Sequence, residues 1–151
     1  MPDFDLIAKG MSQAVPFVGH LGIEVESIDE GQAVAVLPER DDLKNHVGSQ
    51  HAGALFTVAE TASGAAFVGA FAERMGELTP LARSAEIAYE KIANGRITAT
   101  AKLGIPPAEA IETLDADGKV EFPCDIELTA ADGTVVAAAN VRWHVRLKNA
   151  S

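Results

Sequence analysis

Cysteine is nearly absent, Cys124 being the one thiol in 151 residues. An internal disulfide and a Cys-rich metal site are thereby excluded, and Cys124 is by default a small buried hydrophobe. Basic residues are also scarce, with 12 Lys and Arg against 22 Asp and Glu and a formal net charge of -10. Neutralising phosphates needs an excess of Lys and Arg, so no nucleic-acid partner is expected. Any phosphorylated small ligand would need a local cluster of positive groups and backbone N–H donors. The start, Met1-Pro-Asp-Phe-Asp, lacks the basic residues and apolar core of a secretory signal, and a cytoplasmic protein is expected. The His residues at 20, 46, 51 and 144 lack metal-site spacing and carboxylate companions, and no metal is expected.

What is present is an ordinary globular composition, 48% hydrophobic and 23% charged, in a length suited to a single domain over 1–151. Residues 1–19 read as an N-terminal helical segment, amphipathic over 3–14. The apolar run from Ala52 to Ala72 has the length of a membrane span, but Glu60 lies near its middle, Ala and Gly dominate, and basic flanks are missing. We therefore expect a central helix over 51–73, buried on almost every side of a soluble protein, and no membrane partner.

The remainder alternates with the period of strands. Gly22 to Ile28 and Gln32 to Leu37 flank the turn Asp29-Glu30-Gly31. Ala85, Ile87 and Tyr89 alternate with polar residues, and beyond the turn Asn94-Gly95 so do Ile97, Ala99, Ala101 and Leu103, which predicts a hairpin. Val120 to Leu128 and Ala137 to Leu147 alternate about Asp132-Gly133 and predict a second hairpin. Residues 106–119, holding Glu109, Glu112, Asp115 and Asp117, read as a solvated acidic inter-strand loop or short helix. The order strand, strand, helix, four strands implies an α+β protein: a curved six-stranded antiparallel sheet wrapped around one long central apolar helix.

Glu60 is the only charged side chain between Ala52 and Ala72, and helical spacing sets it with Phe56, Ser63, Gly64 and Phe67. A buried carboxylate must be paired or have its pKa raised, which is also how a general base is tuned. The alternative is a structural acid satisfied across a dimer interface. The polar loop from Asn45 to His51 ends where the helix begins, so the N–H groups of Ala52 and Gly53 lack intrahelical partners and can stabilise an oxyanion. Glu60 lies two turns on, about 12 Å in axial rise, too far to serve the same carbonyl within one chain. Two helices antiparallel across a twofold axis would bring them together.

The run N-H-V-G-S-Q-H-A-G-A-L-F-T-V-A-E from Asn45 to Glu60 resembles hotdog-fold thioesterases of the phenylacetate-degradation, PaaI-like type. Their signature is Asn-x-x-Gly-x-x-His-Gly-Gly with an acid nine residues after the His, matched by Asn45, Gly48, His51, Gly53 and Glu60. Ile87 to Ala101 is similar to the family's third strand, turn and fourth strand, so the resemblance spans residues 20–105. It implies a hotdog fold, hydrolysis of an acyl-CoA thioester with CoA as part of the substrate and no separate cofactor, and an obligate homodimer or a homotetramer. It also implies Glu60 as base or nucleophile, the N–H groups of Ala52 and Gly53 on the carbonyl, Asn45 and Gln50 as candidates to position water, and His51 as a cap of the loop. Lys91 and Arg96 are candidates for the CoA phosphates, with ordinary surface charge as the alternative. The chain departs from the pattern at Ala52, where most members have Gly: the N–H survives, but the methyl narrows the space for the thioester. It departs again in the acidic segment 106–119. Two alternatives stay open. His46 precedes Glu60 by the fourteen residues that separate His and Glu in hotdog hydroxyacyl-thioester dehydratases, although its flanks differ, and a non-catalytic acyl-CoA-binding protein would keep Glu60 as structure.

Overall fold

A computed structural model describes residues 2–149. In chain order the elements are α1 (Phe4–Ala14), α2 (Pro16–Leu21), β1 (Glu24–Asp29), β2 (Gln32–Leu37), α3 (Ala52–Phe71), β3 (Leu78–Tyr89), β4 (Ile97–Leu103), α4 (Pro107–Asp117), β5 (Lys119–Ala130) and β6 (Val135–Leu147). The strands form one antiparallel six-stranded sheet in the order β1-β2-β4-β5-β6-β3. Helix α3 lies chiefly over β2 and β4, with β1 and β5 beside them.

Apolar residues run almost all around α3, and the sheet consumes most of them. Leu55, Val58, Ala62, Ala65, Ala66 and Phe67 are all buried, so the span-length run is buried core. Small residues let the backbones meet. At Gly69 an added Cβ would land on the carbonyl oxygen of Asp29, so β1 rests directly on the helix there. Phe67 stacks between Trp143 of β6 and Phe122 of β5, with ring centroids 5.4 and 6.4 Å away, and Phe71 closes on Phe122 at 5.9 Å. The N-terminal segment divides into two helices at Pro16. Asp3 caps the first, and the Ser12 hydroxyl accepts from the Val25 N–H at 2.9 Å, tying α1 to β1.

One expectation is corrected and one alternative is decided. Strands β3 and β4 do not form a hairpin: β3 pairs with β6 at the sheet edge, while β4 lies between β2 and β5. Gly95 makes its turn at φ 76, but the connection is then drawn across to the 45–50 loop, where the Gln50 N–H donates to the Ala93 carbonyl at 2.8 Å. Residues 107–117 form helix α4, the helical one of the two alternatives. Pro107 begins it, Gly118 ends it in the left-handed conformation, and Ala110 and Leu114, one turn apart, are fully buried beneath its acidic face.

Strand β3 stands apart from the rest. It is an edge strand of twelve residues, and α3 does not cover it. Ala82, Ala85, Ile87 and Tyr89 pair with Trp143, Val141, Ala139 and Ala137, whose face carries the core, yet Ala82, Ala85 and Tyr89 are exposed and Ile87 only half-buried.

Candidate active site

The start of α3 is built by its preceding loop. Asn45 Oδ1 accepts from the N–H groups of Val47 and Ser49, and Asn45 Nδ2 donates to Ser49 Oγ at 2.8 Å. Gly48 takes the positive φ that the turn requires. His51 caps the helix: its Nδ1 accepts from the Gly53 N–H at 2.8 Å, which places the proton of the neutral ring on Nε2. The Ala54 and Leu55 N–H groups both reach the His51 carbonyl, at 3.0 and 3.1 Å. Of the first-turn donors, the N–H of Ala52 is the one without an acceptor among the described residues.

These bonds revise three of the expected roles. The Gly53 N–H is spent on His51 and is not free for a carbonyl. Asn45 spends its amide inside its own loop rather than on water. Gln50 is buried, and its Nε2 donates to the carbonyls of Pro38 and Gly95 at 3.0 and 2.9 Å, so it ties the loop to the β3–β4 connection; its Oε1 has no partner among the described residues. His51 stands where the capping role puts it. His46 is exposed in the loop.

A cavity of ≈ 400 Å³ opens beside the helix start, lined by Asn45, Gln50, Ala52, Leu55, Tyr89 and Lys91 among others. Lys91 therefore lines the same cavity as Ala52, whereas Arg96 is paired on the surface with Glu26 at 2.9 Å and is not among the lining residues. Tyr89, which sequence reasoning took only as a strand residue, donates its hydroxyl to the Ala52 carbonyl at 3.1 Å. The available signal was that it is the one aromatic residue of β3 and the single tyrosine of the chain.

Glu60 lies on the one strip of α3 that the sheet leaves open. Gly53, Phe56, Thr57, Glu60, Gly64 and Val68 follow at helical spacing and are exposed or half-buried, while Ser63 and Phe67, expected beside Glu60, turn into the core. No cation or hydrogen-bond donor reaches the Glu60 carboxylate among the described residues, and burial alone raises its pKa above the ordinary carboxylate value. No cluster of three or more His, Cys, Asp or Glu among the described residues could hold a metal ion.

Residues 5–145 match the family described as domain of unknown function DUF4442. The chain belongs to this family. Its fold is the hotdog fold, shared with solved thioesterase-family structures. A Pseudomonas aeruginosa protein, PA5026, described as of unknown function and a probable thioesterase, is 28% identical over 97% of this chain and 98% of its own, with a TM-score of 0.87. AziG of S. sahachiroi is 29% identical over 88% of this chain and 97% of its own, with a TM-score of 0.71. The E. coli PaaI protein from the phenylacetic acid degradation operon is 27% identical over 91% of this chain and 88% of its own, with a TM-score of 0.69. No curated protein matches the sequence.

Proposed function

We propose that this DUF4442 protein is an acyl-CoA thioesterase in which Glu60 is the general base and the Ala52 N–H receives the oxyanion. The observation that carries the reading is Glu60 itself: an unpaired, half-buried carboxylate with a raised pKa in an otherwise apolar helix. A carboxylate made more basic by burial takes a proton from water, and the resulting hydroxide attacks the thioester carbonyl. The negative charge that develops on the carbonyl oxygen faces the Ala52 N–H and the positive end of the α3 dipole. Collapse expels CoA as a thiolate, a leaving group about as good as that of free cysteine, and this thiolate takes the proton held by Glu60 and restores the carboxylate. The products are a carboxylic acid and CoA. The description of the structural relative PA5026 as a probable thioesterase supports the same class.

About 12 Å of helix separates Ala52 from Glu60, so the two groups that act on one carbonyl come from two chains. Strand β3 supports this arrangement. It is a long edge with its apolar face uncovered, and pairing with its own copy about a twofold axis would extend the sheet, cover that face and set the helices antiparallel. Among the described residues, Lys91 is the one cation lining the cavity beside Ala52 and is the candidate for the phosphates of CoA.

The test is release of free thiol from short, medium, long and aryl acyl-CoA esters by wild type and Glu60→Gln. Loss of about 10²- to 10⁴-fold in kcat, with the circular dichroism spectrum unchanged, is expected of a removed general base. Equal rates in the two proteins would refute the assignment and favour a binding protein with a structural Glu60.

A further inference from the structure

One helical turn beyond Glu60, on the same open strip of α3, stands Gly64, about 6 Å further along the axis. Glycine in a helix interior weakens the helix, and at Gly69 close approach of the β1 backbone requires it. Gly64 has no such requirement. A Cβ placed there would lie 3.6 Å from Cζ2 and 3.9 Å from Cη2 of Trp143, ordinary contact distances that would accommodate a methyl. The atoms such a methyl would meet lie on the benzo edge of the indole, and Trp143 as a whole is only 8% exposed.

The indole is held in place. Its Nε1–H donates to Ser63 Oγ at 3.2 Å, and the Ser63 hydroxyl donates to the Glu60 carbonyl at 2.7 Å. One ring face stacks on Phe67 at 5.4 Å and 14°. The only polar atom of the Trp143 side chain is therefore satisfied, and the edge turned toward Gly64 is hydrocarbon.

We propose that Gly64 and Trp143 form the floor of the acyl channel, with Gly64 the gap that admits the acyl group past Glu60 and Trp143 the surface on which it packs. This rests on the thioesterase reading, because Glu60 marks where the carbonyl sits. The acyl groups selected are hydrocarbon chains or aryl groups. A hydroxylated or charged chain would desolvate its polar atoms against the indole without a partner.

The experiment compares kcat/KM for acetyl-, hexanoyl-, decanoyl- and phenylacetyl-CoA in wild type, Gly64→Ala and Gly64→Val. Emission from Trp143, the single tryptophan, is followed during titration with CoA and with the non-hydrolysable decanoyl-CoA thioether. The expected result is a fall of about 10-fold or more in the decanoyl-to-acetyl ratio of kcat/KM in Gly64→Val, carried by KM, and a smaller fall in Gly64→Ala. The thioether should shift the emission, and CoA should not. Loss by one common factor for every ester, or the same emission change with CoA as with the thioether, would overturn the proposal. Failure of wild type to hydrolyse any ester would instead sink the thioesterase reading, and the emission titration would still decide whether an acyl group lies on Trp143.

Discussion

The same substitution at two glycines of α3 should have opposite effects on stability. Glycine to alanine in a helix interior gains about 0.5–1 kcal/mol when the methyl meets open space or ordinary contact. Gly64 meets that condition, since its added Cβ would sit 3.6 Å from the nearest atom of Trp143. Gly69 does not. There the methyl would overlap the Asp29 carbonyl oxygen and lie 2.8 Å from Ile28 Cγ2, and backbone cannot rotate out of the way as a side-chain terminus can. Overpacking of this kind costs about 1–3 kcal/mol, which exceeds the propensity gain. At one fixed protomer concentration, Gly64→Ala should raise the thermal midpoint by about 1–4 °C and Gly69→Ala should lower it by several, using about 2–4 °C per kcal/mol for a domain of this size. Thermal and urea unfolding of the two variants beside wild type is the assay. A Gly69→Ala protein as stable as wild type would refute direct seating of the β1 backbone on α3, and with it the account of why the helix is so rich in small residues.

Burial pushes the Cys124 thiol up to about 12, so at pH 8 the native protein should react with a thiol reagent at least about 100-fold more slowly than the urea-unfolded chain; rapid labelling of the native state would contradict its place in the β5 core. Glu60 has an ordinary value of 4.5 in the unfolded chain and a raised one in the fold. Its contribution to stability is therefore fully present below about pH 4.5 and is lost as pH rises through the folded value. The stability of wild type relative to Glu60→Gln, from urea midpoints, should decline over that window and then level off, and a difference independent of pH would refute burial as the cause.

What could be read from the chain followed the range of the physics involved. The helix, the strands and the β5–β6 hairpin rest on periodicity and on turn residues such as Asp132-Gly133, all local. The false β3–β4 hairpin carried equally good local signals at Asn94-Gly95. The contacts that pull the connection elsewhere, from Gln50 to the Ala93 and Gly95 carbonyls, span more than forty residues and leave no pattern. Helix α4 was obscured because its acidic residues dominate the composition while two positions, Ala110 and Leu114, carry its packing. At the site, Glu60 was conspicuous as the lone charge in an apolar run. The capture of the Gly53 N–H by the His51 ring depends on a rotamer, and the pairing of Arg96 with Glu26 bridges seventy residues; neither is written in spacing.

The strip of α3 that holds Glu60 joins stability to chemistry. Had the sheet covered this strip, the carboxylate would have been desolvated without a partner, at a cost that protonation would relieve, and a protonated Glu60 cannot accept a proton from water. Had the helix lain fully in solvent, the carboxylate would have kept its ordinary basicity and any oxyanion would have been solvated by water rather than by the Ala52 N–H. The intermediate setting arises because α3 is centred on β2 and β4 while β6 and β3 run beyond it, leaving Glu60, Gly64 and the edge of Trp143 along one margin. In the proposed dimer the partner closes that margin, and the substrate is enclosed by the same contact that completes the site. Dilution below the dimer dissociation constant should therefore abolish turnover before it unfolds the chain.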